Sequence, residues 1–270
     1  MDFDRYCAQN DQDLDLLEGA LLIARDAYPG LDLESETARI EALTAPLRDD
    51  YVTELDLAQQ ASALSRRLHG ECGLEGNRTD YYDPRNSYVN AVLDRALGVP
   101  ISLSIVYVEV AQRAGLFAAG VGFPGHFLMR LEQGDRSLVI DPFNGGRVLG
   151  RLEIEELFRV GTGGRRPFQE SVLSPTPARH ILARMLMNLR GIYARRGDHA
   201  RLLVVLDRFM TLVPDAADEL RDRGYLWAKL GAPQAAAADL AEYLKRFPHA
   251  GDAAEVRRMV DQLGSFEGDN

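Results

Sequence analysis

Hydrophobic and polar positions recur with helical spacing along the first quarter of the chain. In residues 11–28 the apolar positions fall three or four residues apart and so share one helix face. They are Leu14, Leu17, Leu21, Ala24 and Tyr28. Residues 34–48 and 54–70 repeat this spacing. The pattern predicts an N-terminal region, residues 1–69, that contains three helices.

The pattern changes at Pro100, where a run that is apolar on nearly every side begins. In ISLSIVYVEVAQR only Glu109, Gln112 and Arg113 are charged or strongly polar, which is typical of a helix buried on almost all sides. Proline has no backbone N–H to leave unsatisfied and therefore suits a first helical position. Gly115 is placed to cap the end of this helix.

Two strand-like runs follow the predicted buried helix. They are HFLMRL at 126–131 and SLVIDPF at 137–143, with the turn-prone EQGD between them. His126 begins the first run and Asp141 ends the second. In an antiparallel hairpin these two positions lie at the same open end, so we expect the side chains to be in contact.

The stretch 70–86, GECGLEGNRTDYYDPRN, is rich in glycine, aspartate and asparagine and predicts a long loop before a short helix at 87–97. Tyr81 and Tyr82 either anchor this loop on the core or line a pocket near His126. A dense polar group comes next, consisting of Asp83, Arg85 and Asn86. This group either fixes the loop through hydrogen bonds or contacts a ligand.

A domain boundary is predicted after a short amphipathic helix at 152–160. The segments GTGGRRP at 161–167 and SVLSPTP at 171–177 are rich in glycine, proline and serine, as linkers are. We therefore place a central core at 70–165 and a C-terminal region at 178–265.

The C-terminal region contains a repeat with an offset of 34 residues. The matched positions are Tyr193 with Trp227, Gly197 with Gly231, Leu206 with Leu240, Phe209 with Tyr243, and Pro214 with Pro248. An offset of 34 is the period of tetratricopeptide repeats, in which each unit is two antiparallel helices. Residues 252–263 predict a closing helix that covers the last repeat.

The order of helix, strand-borne histidine and strand-borne aspartate resembles the papain-like transglutaminase core. The wider pattern YYDPRNSYVNAVLDRALGVPISLSIVYVE, GFPGHFLMRL and IDPFNGG is more specifically similar to the SirB family of bacterial proteins, which joins a transglutaminase-like domain to tetratricopeptide repeats. The resemblance implies an α+β fold. Its parts are N-terminal helices, a papain/transglutaminase-like core with a small antiparallel sheet, and C-terminal α-α tetratricopeptide repeats.

The resemblance also implies catalytic roles, with one departure. In the core that this chain resembles, a cysteine at the helix N-terminus is the nucleophile, with a histidine as its base and an aspartate that orients the base. These last two roles fall on His126 and Asp141. The cysteine position falls at or near Pro100, and no cysteine follows Cys72. The sequence thus retains the pair and lacks the nucleophile.

Three residues are candidates to replace the missing thiolate. Ser102 and Ser104 lie in the first turns of the buried helix, where the helix dipole favours an anion, but a hydroxyl is a poor nucleophile unless His126 bonds it directly. Their alternative role is to bond the backbone and allow close helix packing. Cys72 precedes His126 and Asp141 in the order of a triad but lies in the predicted loop.

Composition narrows the possible partners and locations. A formal net charge of −10 and a pI near 5.1 argue against a nucleic-acid or anionic-membrane partner. Two cysteines without metal-ligand spacing, and no apolar run of about 20 residues, predict a protein of the reducing cytoplasm without a membrane span, metal or cofactor.

Two functions of different class follow. The first is a catalytically silent transglutaminase-like protein that acts as an interaction or regulatory module and binds a protein or peptide through its repeats or core cleft. The alternative is a hydrolase or acyl transferase that uses His126 and Asp141 with Ser102, Ser104 or an unforeseen nucleophile. A scaffold without a ligand is a third possibility.

Overall fold

The fold is α+β, as the sequence predicts. The computed structural model describes residues 2–265. The helices are α1 Phe3–Cys7, α2 Leu16–Arg25, α3 Leu33–Asp49, α4 Leu57–Ser65, α5 Val89–Arg95, α6 Pro100–Arg113, α7 Arg151–Gly161, α8 Ala178–Arg196, α9 His199–Leu212, α10 Ala217–Lys229, α11 Pro233–Arg246 and α12 Ala253–Ser265. The strands are β1 Glu75–Gly76, β2 Leu97–Gly98, β3 Phe117–Phe123, β4 His126–Gln133, β5 Arg136–Asp141 and β6 Arg147–Leu149.

The chain divides into two compact units, Met1–Met185 and Leu186–Asn270, and the division falls within α8. The finer limits expected from the sequence, at residues 69, 165 and 178, stay predictions.

The three predicted N-terminal helices are α2, α3 and α4. Each begins after an aspartate whose carboxylate accepts a hydrogen bond from a backbone N–H of the first turn. The capping residues are Asp15, Asp32 and Asp56. The short α1 was not predicted, although Asp2 caps it in the same way. A π-helical turn, Arg66–Glu71, continues from α4 into the predicted loop.

The predicted buried helix is α6, and it forms the centre of the first unit. Every residue from Pro100 to Ala111 is buried. The helix packs against β3 and β4 on one side and against α2, α3 and α5 on others. Gly115 follows its end with a φ of +87° and donates its N–H to the Gln112 carbonyl oxygen at 3.0 Å, which confirms the predicted cap.

The predicted hairpin is the middle of a four-stranded antiparallel sheet with the order β3-β4-β5-β6. Its turn is shorter than predicted, because Gln133 pairs with Arg136 and only Gly134 and Asp135 connect the strands. Strand β5 ends at Asp141 instead of residue 143, since Pro142 begins a 3₁₀ turn. Strands β3 and β6 were not predicted.

The second unit contains the predicted helical repeats. Helices α10 and α11 form the second repeat and α12 follows as the predicted closing helix. Leu220, Ala236, Leu240, Tyr243 and Val256 are buried together in this unit. Gly231, one of the matched glycines, has a φ of +74° between α10 and α11, a conformation that side chains rarely adopt.

Candidate functional site

His126 and Asp141 form a buried hydrogen-bonded pair. The ring nitrogen Nε2 of His126 lies 2.9 Å from Oδ1 of Asp141, which confirms the predicted contact. The side chains are 10% and 2% exposed. The contact follows from the sheet, because β4 begins at His126 and β5, its antiparallel neighbour, ends at Asp141.

Asp141 is held as a carboxylate by the donors around it. Burial alone would raise its pKa, but hydrogen bonding and charge interaction with His126, together with two hydrogen bonds from Asn144, hold the pKa below its usual range. The Asn144 side-chain amide donates to Oδ2 at 2.6 Å and its backbone N–H donates to Oδ1 at 3.3 Å. An ionised Asp141 accepts the Nε2 proton of His126, so Nδ1 is the ring nitrogen left for chemistry.

The network extends to residues that sequence reasoning missed. Arg78 donates to the Asn144 side-chain oxygen. Arg184, on α8, donates to the carbonyl oxygens of Phe123 and His126 and so fixes the turn from which His126 emerges. The Asp-Pro-x-Asn order of IDPFN is a signal for Asn144, because an aspartate before a turn commonly caps the residues after it. No local signal marks Arg78 or Arg184.

Aromatic rings lie on one side of the pair. The ring of Phe143 meets His126 edge to face at 6.1 Å between centroids and meets Tyr81 in the same way at 6.1 Å. Tyr82 contacts Tyr81 at 5.3 Å, and the Arg78 guanidinium lies 5.3 Å from the Phe143 centroid. Tyr81 and Tyr82 are 39% and 52% exposed, so the row of rings reaches the surface.

Among the described residues, the structure shows no hydrogen bond between Ser102, the predicted candidate nucleophile, and His126. Its hydroxyl is fully buried and donates to the Asn86 carbonyl oxygen at 2.5 Å. The hydroxyl oxygen of Ser102 accepts the N–H of Val99 at 3.1 Å, so Ser102 stabilises the start of α6. Backbone N–H groups at a helix N-terminus have no partner within the helix. The Ser102 hydroxyl accepts a hydrogen bond from one N–H at this end of α6.

The other two candidates are likewise not hydrogen-bonded to His126 among the described residues. The fully buried hydroxyl of Ser104 donates to the Phe127 carbonyl oxygen at 3.4 Å. Cys72 follows the π-helical turn, and burial raises the pKa of its thiol, the opposite of what an attacking thiolate needs. Within residues 2–265, the ring of His126 has no hydrogen bond to a hydroxyl or thiol.

The polar group of the 70–86 loop forms a hydrogen-bonded cluster. The side chain of Asp83 accepts from Arg85 at 2.8 Å, and Arg95 lies 3.5 Å from the same carboxylate. Asn86 is buried, accepts from Asn77 at 3.0 Å and donates to the Asp80 carbonyl oxygen at 2.7 Å. The sequence leaves two roles open for this group, fixing the loop or contacting a ligand. The observed hydrogen bonds hold the loop in place.

Comparison with known proteins agrees with this architecture. The sequence profile of the transglutaminase-like superfamily matches residues 34–187, and a tetratricopeptide-repeat profile matches residues 189–261. The chain therefore belongs to the transglutaminase-like superfamily, in a form that carries C-terminal tetratricopeptide repeats.

Individual relatives identify the bacterial family within this superfamily. A UPF0162 protein of Xylella fastidiosa is 42% identical over 257 residues, which are 93% of this chain and 91% of that protein. The UPF0162 protein of Vibrio cholerae is 28% identical over 95% of each chain. These relatives are SirB-like, so the resemblance to the SirB family is confirmed.

A part of the chain is also similar to a longer eukaryotic protein. F-box only protein 21 of Homo sapiens is 30% identical over 192 residues, which are 67% of this chain and 30% of that protein. No solved structure matches the chain significantly.

Helix length and side-chain placement in residues 2–265 give no candidate for a membrane span or a metal site. In that part of the chain, no helix is long and apolar enough to cross a bilayer, and no group of three or more histidine, cysteine, aspartate or glutamate side chains is placed to hold a metal ion.

Proposed function

We propose that the protein is a catalytically silent transglutaminase-like protein that acts as a protein-interaction or regulatory module. The observation that carries this proposal is the His126–Asp141 pair itself. It is oriented as a base and its orienting group, yet within the described residues no hydroxyl or thiol is bonded to it.

The physical argument concerns the nucleophile. Acyl transfer by a papain-like site depends on a thiolate that the helix N-terminus and an adjacent imidazolium stabilise. Pro100, at or near that position, has no nucleophilic side chain. Ser102 holds its hydroxyl in a short hydrogen bond to the Asn86 carbonyl oxygen, so an attack by this hydroxyl would first have to break that bond inside the protein.

Binding is the function that these features support. The exposed rings of Tyr81 and Tyr82 beside Phe143 give the core a surface with apolar area and little rotamer freedom to lose, which suits contact with a protein or peptide. Tetratricopeptide repeats are a second binding surface of the same kind. A net charge of −10 disfavours nucleic acid and anionic membranes as partners, and we infer a cytoplasmic location.

A second function is supported by one observation. Because Asp141 is ionised and Nδ1 of His126 is free, the pair is able to take a proton from a water molecule or from an unforeseen nucleophile. On this alternative the protein is a hydrolase or acyl transferase.

The experiment is an assay of the purified chain for peptide hydrolysis and for amine incorporation into a glutamine peptide. The wild type is compared with His126→Ala and Ser102→Ala, and His180→Ala, a change at an exposed histidine, is the matched control. We expect all four proteins to stay at the background rate. If the wild type is active, His126→Ala abolishes the activity and His180→Ala retains it, the proposal of a silent module is wrong and the alternative of a hydrolase or acyl transferase is supported.

The binding claim has its own test. A photo-crosslinking amino acid at position 82 is expected to give a discrete adduct with a protein in cells, and Phe143→Ala is expected to weaken it. The same amino acid at exposed position 135 is the control. Equal crosslinking from both positions would contradict a binding surface at the tyrosines.

A further inference from the structure

A cavity of about 430 Å³ lies in the first unit beside the C-terminal half of α6. It shares no residue with the His126 network. Its apolar wall consists of Leu14, Leu16, Val108, Ala119 and Ile181, and its polar residues are Asp15, Glu109, Gln112, Arg113 and Thr176. Pockets that bind small organic molecules typically have volumes of roughly 300–1,000 Å³, and this cavity is of that size, with polar and apolar residues in similar numbers.

The cavity is lined by an ionisable group that the fold leaves incompletely paired. Glu109 is 5% exposed on a helix that is otherwise apolar. Its one neighbouring cation is Arg113, whose Nε lies 3.4 Å from Oε2 of Glu109, and that buried Nε has no hydrogen-bond partner among the described residues. A buried carboxylate with such partial compensation is costly to keep charged.

The surroundings of Glu109 favour an added positive charge. Burial, followed by the charge of Asp15, raises the pKa of Glu109 to about 7, and Arg113 together with a backbone hydrogen bond from Leu17 opposes this only in part. A neighbouring cavity of about 490 Å³ shares Asp15 and Arg113 and adds three further carboxylates. They are Glu18, Glu34 and Glu41. Glu41 is ion-paired with Arg48, and the remaining carboxylates still outnumber the single guanidinium of Arg113 that lines these cavities.

We propose that this cavity binds a small organic cation, an ammonium group carried on an apolar body. The ammonium group lies between the carboxylates of Asp15 and Glu109. The apolar body lies along the wall of Leu14, Val108 and Ile181. A ligand with a carboxylate is disfavoured there, because it would approach two acidic side chains.

Proton linkage gives this proposal a specific signature. The charged groups that face Glu109 are Asp15 at the start of α2 and Arg113 on its own helix, whose carbonyl oxygen accepts from Arg48 of α3. The β3 residues and the 176–181 segment add no charge to the lining. A bound cation favours the carboxylate form of Glu109, so binding releases a proton near neutral pH and tightens as the pH rises.

The experiment is calorimetric titration of the full chain with three probes that share one apolar body, namely 4-phenylbutylamine, 4-phenylbutan-1-ol and 4-phenylbutyrate. We expect the amine to bind at least about ten-fold more tightly than the alcohol, and the acid more weakly than either. The amine stays protonated between about pH 6 and about pH 8, so its affinity is expected to rise over this range as Glu109 ionises. Proton release on binding is measured by repeating the titration in two buffers of different ionisation enthalpy.

Two variants locate the site. Glu109→Gln and Asp15→Asn, the second of which keeps a helix-capping side chain, are each expected to weaken amine binding about ten-fold, and Glu109→Gln to abolish proton release. Glu255→Gln, at an exposed position of the second unit, is the control and should bind as the wild type does. The proposal is overturned if the amine binds no more tightly than the alcohol, if no probe binds, or if both variants bind as the control does.

Discussion

Replacing Asp141 by asparagine tests whether the carboxylate holds the His126 site together. The carboxylate accepts from His126 Nε2 at 2.9 Å and from the Asn144 side chain at 2.6 Å, and the Asp141 side chain is 2% exposed. An asparagine presents one oxygen and one NH₂, so one of these donors faces another donor. Because a hydrogen bond to a charged group contributes about 1.5–3 kcal/mol, we expect Asp141→Asn to lower the free energy of unfolding by about 2–3 kcal/mol at pH 7.

The assay is urea unfolding followed by far-ultraviolet circular dichroism, with Asp135→Asn in the exposed hairpin turn as the control. The control is expected to change the free energy of unfolding by less than about 0.5 kcal/mol.

The pH dependence of this difference has a definite sign. The folded-state pKa of Asp141 is depressed, so its contribution is complete above the unfolded-state value of about 3.9 and is lost as the pH falls through the folded-state pKa. The gap between wild type and Asp141→Asn should therefore shrink under acid. A variant as stable as Asp135→Asn at pH 7, or a gap that widens on acidification, would refute this account of the pair.

Two further stability predictions concern a close backbone approach and an ion pair. Gly161→Ala puts a Cβ 2.1 Å from the Pro124 carbonyl oxygen, so we expect a loss above about 2 kcal/mol in urea unfolding, whereas Gly251→Ala, with open space around it, should cost less than about 1 kcal/mol. Arg223→Met breaks the bidentate ion pair with Asp239, which is nine-tenths buried. We expect it to lower the free energy of unfolding by about 2–3 kcal/mol, measured in urea by the fluorescence of the single tryptophan, which lies in the same unit. Lys229→Met, at an exposed position, is the control and should leave the free energy of unfolding unchanged. If Gly161→Ala cost no more than Gly251→Ala, the close backbone approach would be contradicted, and if Arg223→Met cost no more than Lys229→Met, the ion-pair contribution would be contradicted.

The parts of the fold that the sequence predicts are those in which local pattern and burial agree. The run after Pro100 is apolar on nearly all sides, and the helix is buried on nearly all sides. The two strand-like runs fix the chain direction on either side of a short turn, which is sufficient to bring His126 to Asp141. The 34-residue offset likewise predicts the helical repeats without any knowledge of their packing.

Strand β3 shows where local pattern fails. Its sequence FAAGVGF has two glycines and two alanines, residues that are depleted in strands. Tertiary packing supplies the reason for them, because a Cβ at Gly120 would lie 2.9 Å from both Ile181 and Phe127. One of these two neighbours, Ile181, is 61 residues further along the chain, so a window of sequence around β3 contains only part of this information.

The site was predicted in part for the same reason. His126 and Asp141 follow from one hairpin, whereas Arg78 reaches Asn144 over 66 residues of sequence and Arg184 reaches the His126 carbonyl over 58. Ser102 was offered as a nucleophile because its place in the first turns of a helix is visible in the sequence. Its hydroxyl is bonded to the Asn86 carbonyl oxygen because the preceding loop folds back onto the helix start. That arrangement of the loop is not visible in the sequence.

The most direct test of the central claim is a search for a covalent acyl intermediate. The chain is incubated with an activated ester, quenched in acid and digested, and acylated residues are quantified by mass spectrometry in the wild type and in His126→Ala. The account predicts no adduct within residues 98–146 that exceeds the level in His126→Ala. A stoichiometric adduct on Ser102, Ser104 or another side chain of that segment, lost in His126→Ala, would show that the pair activates a nucleophile and would contradict the silent module.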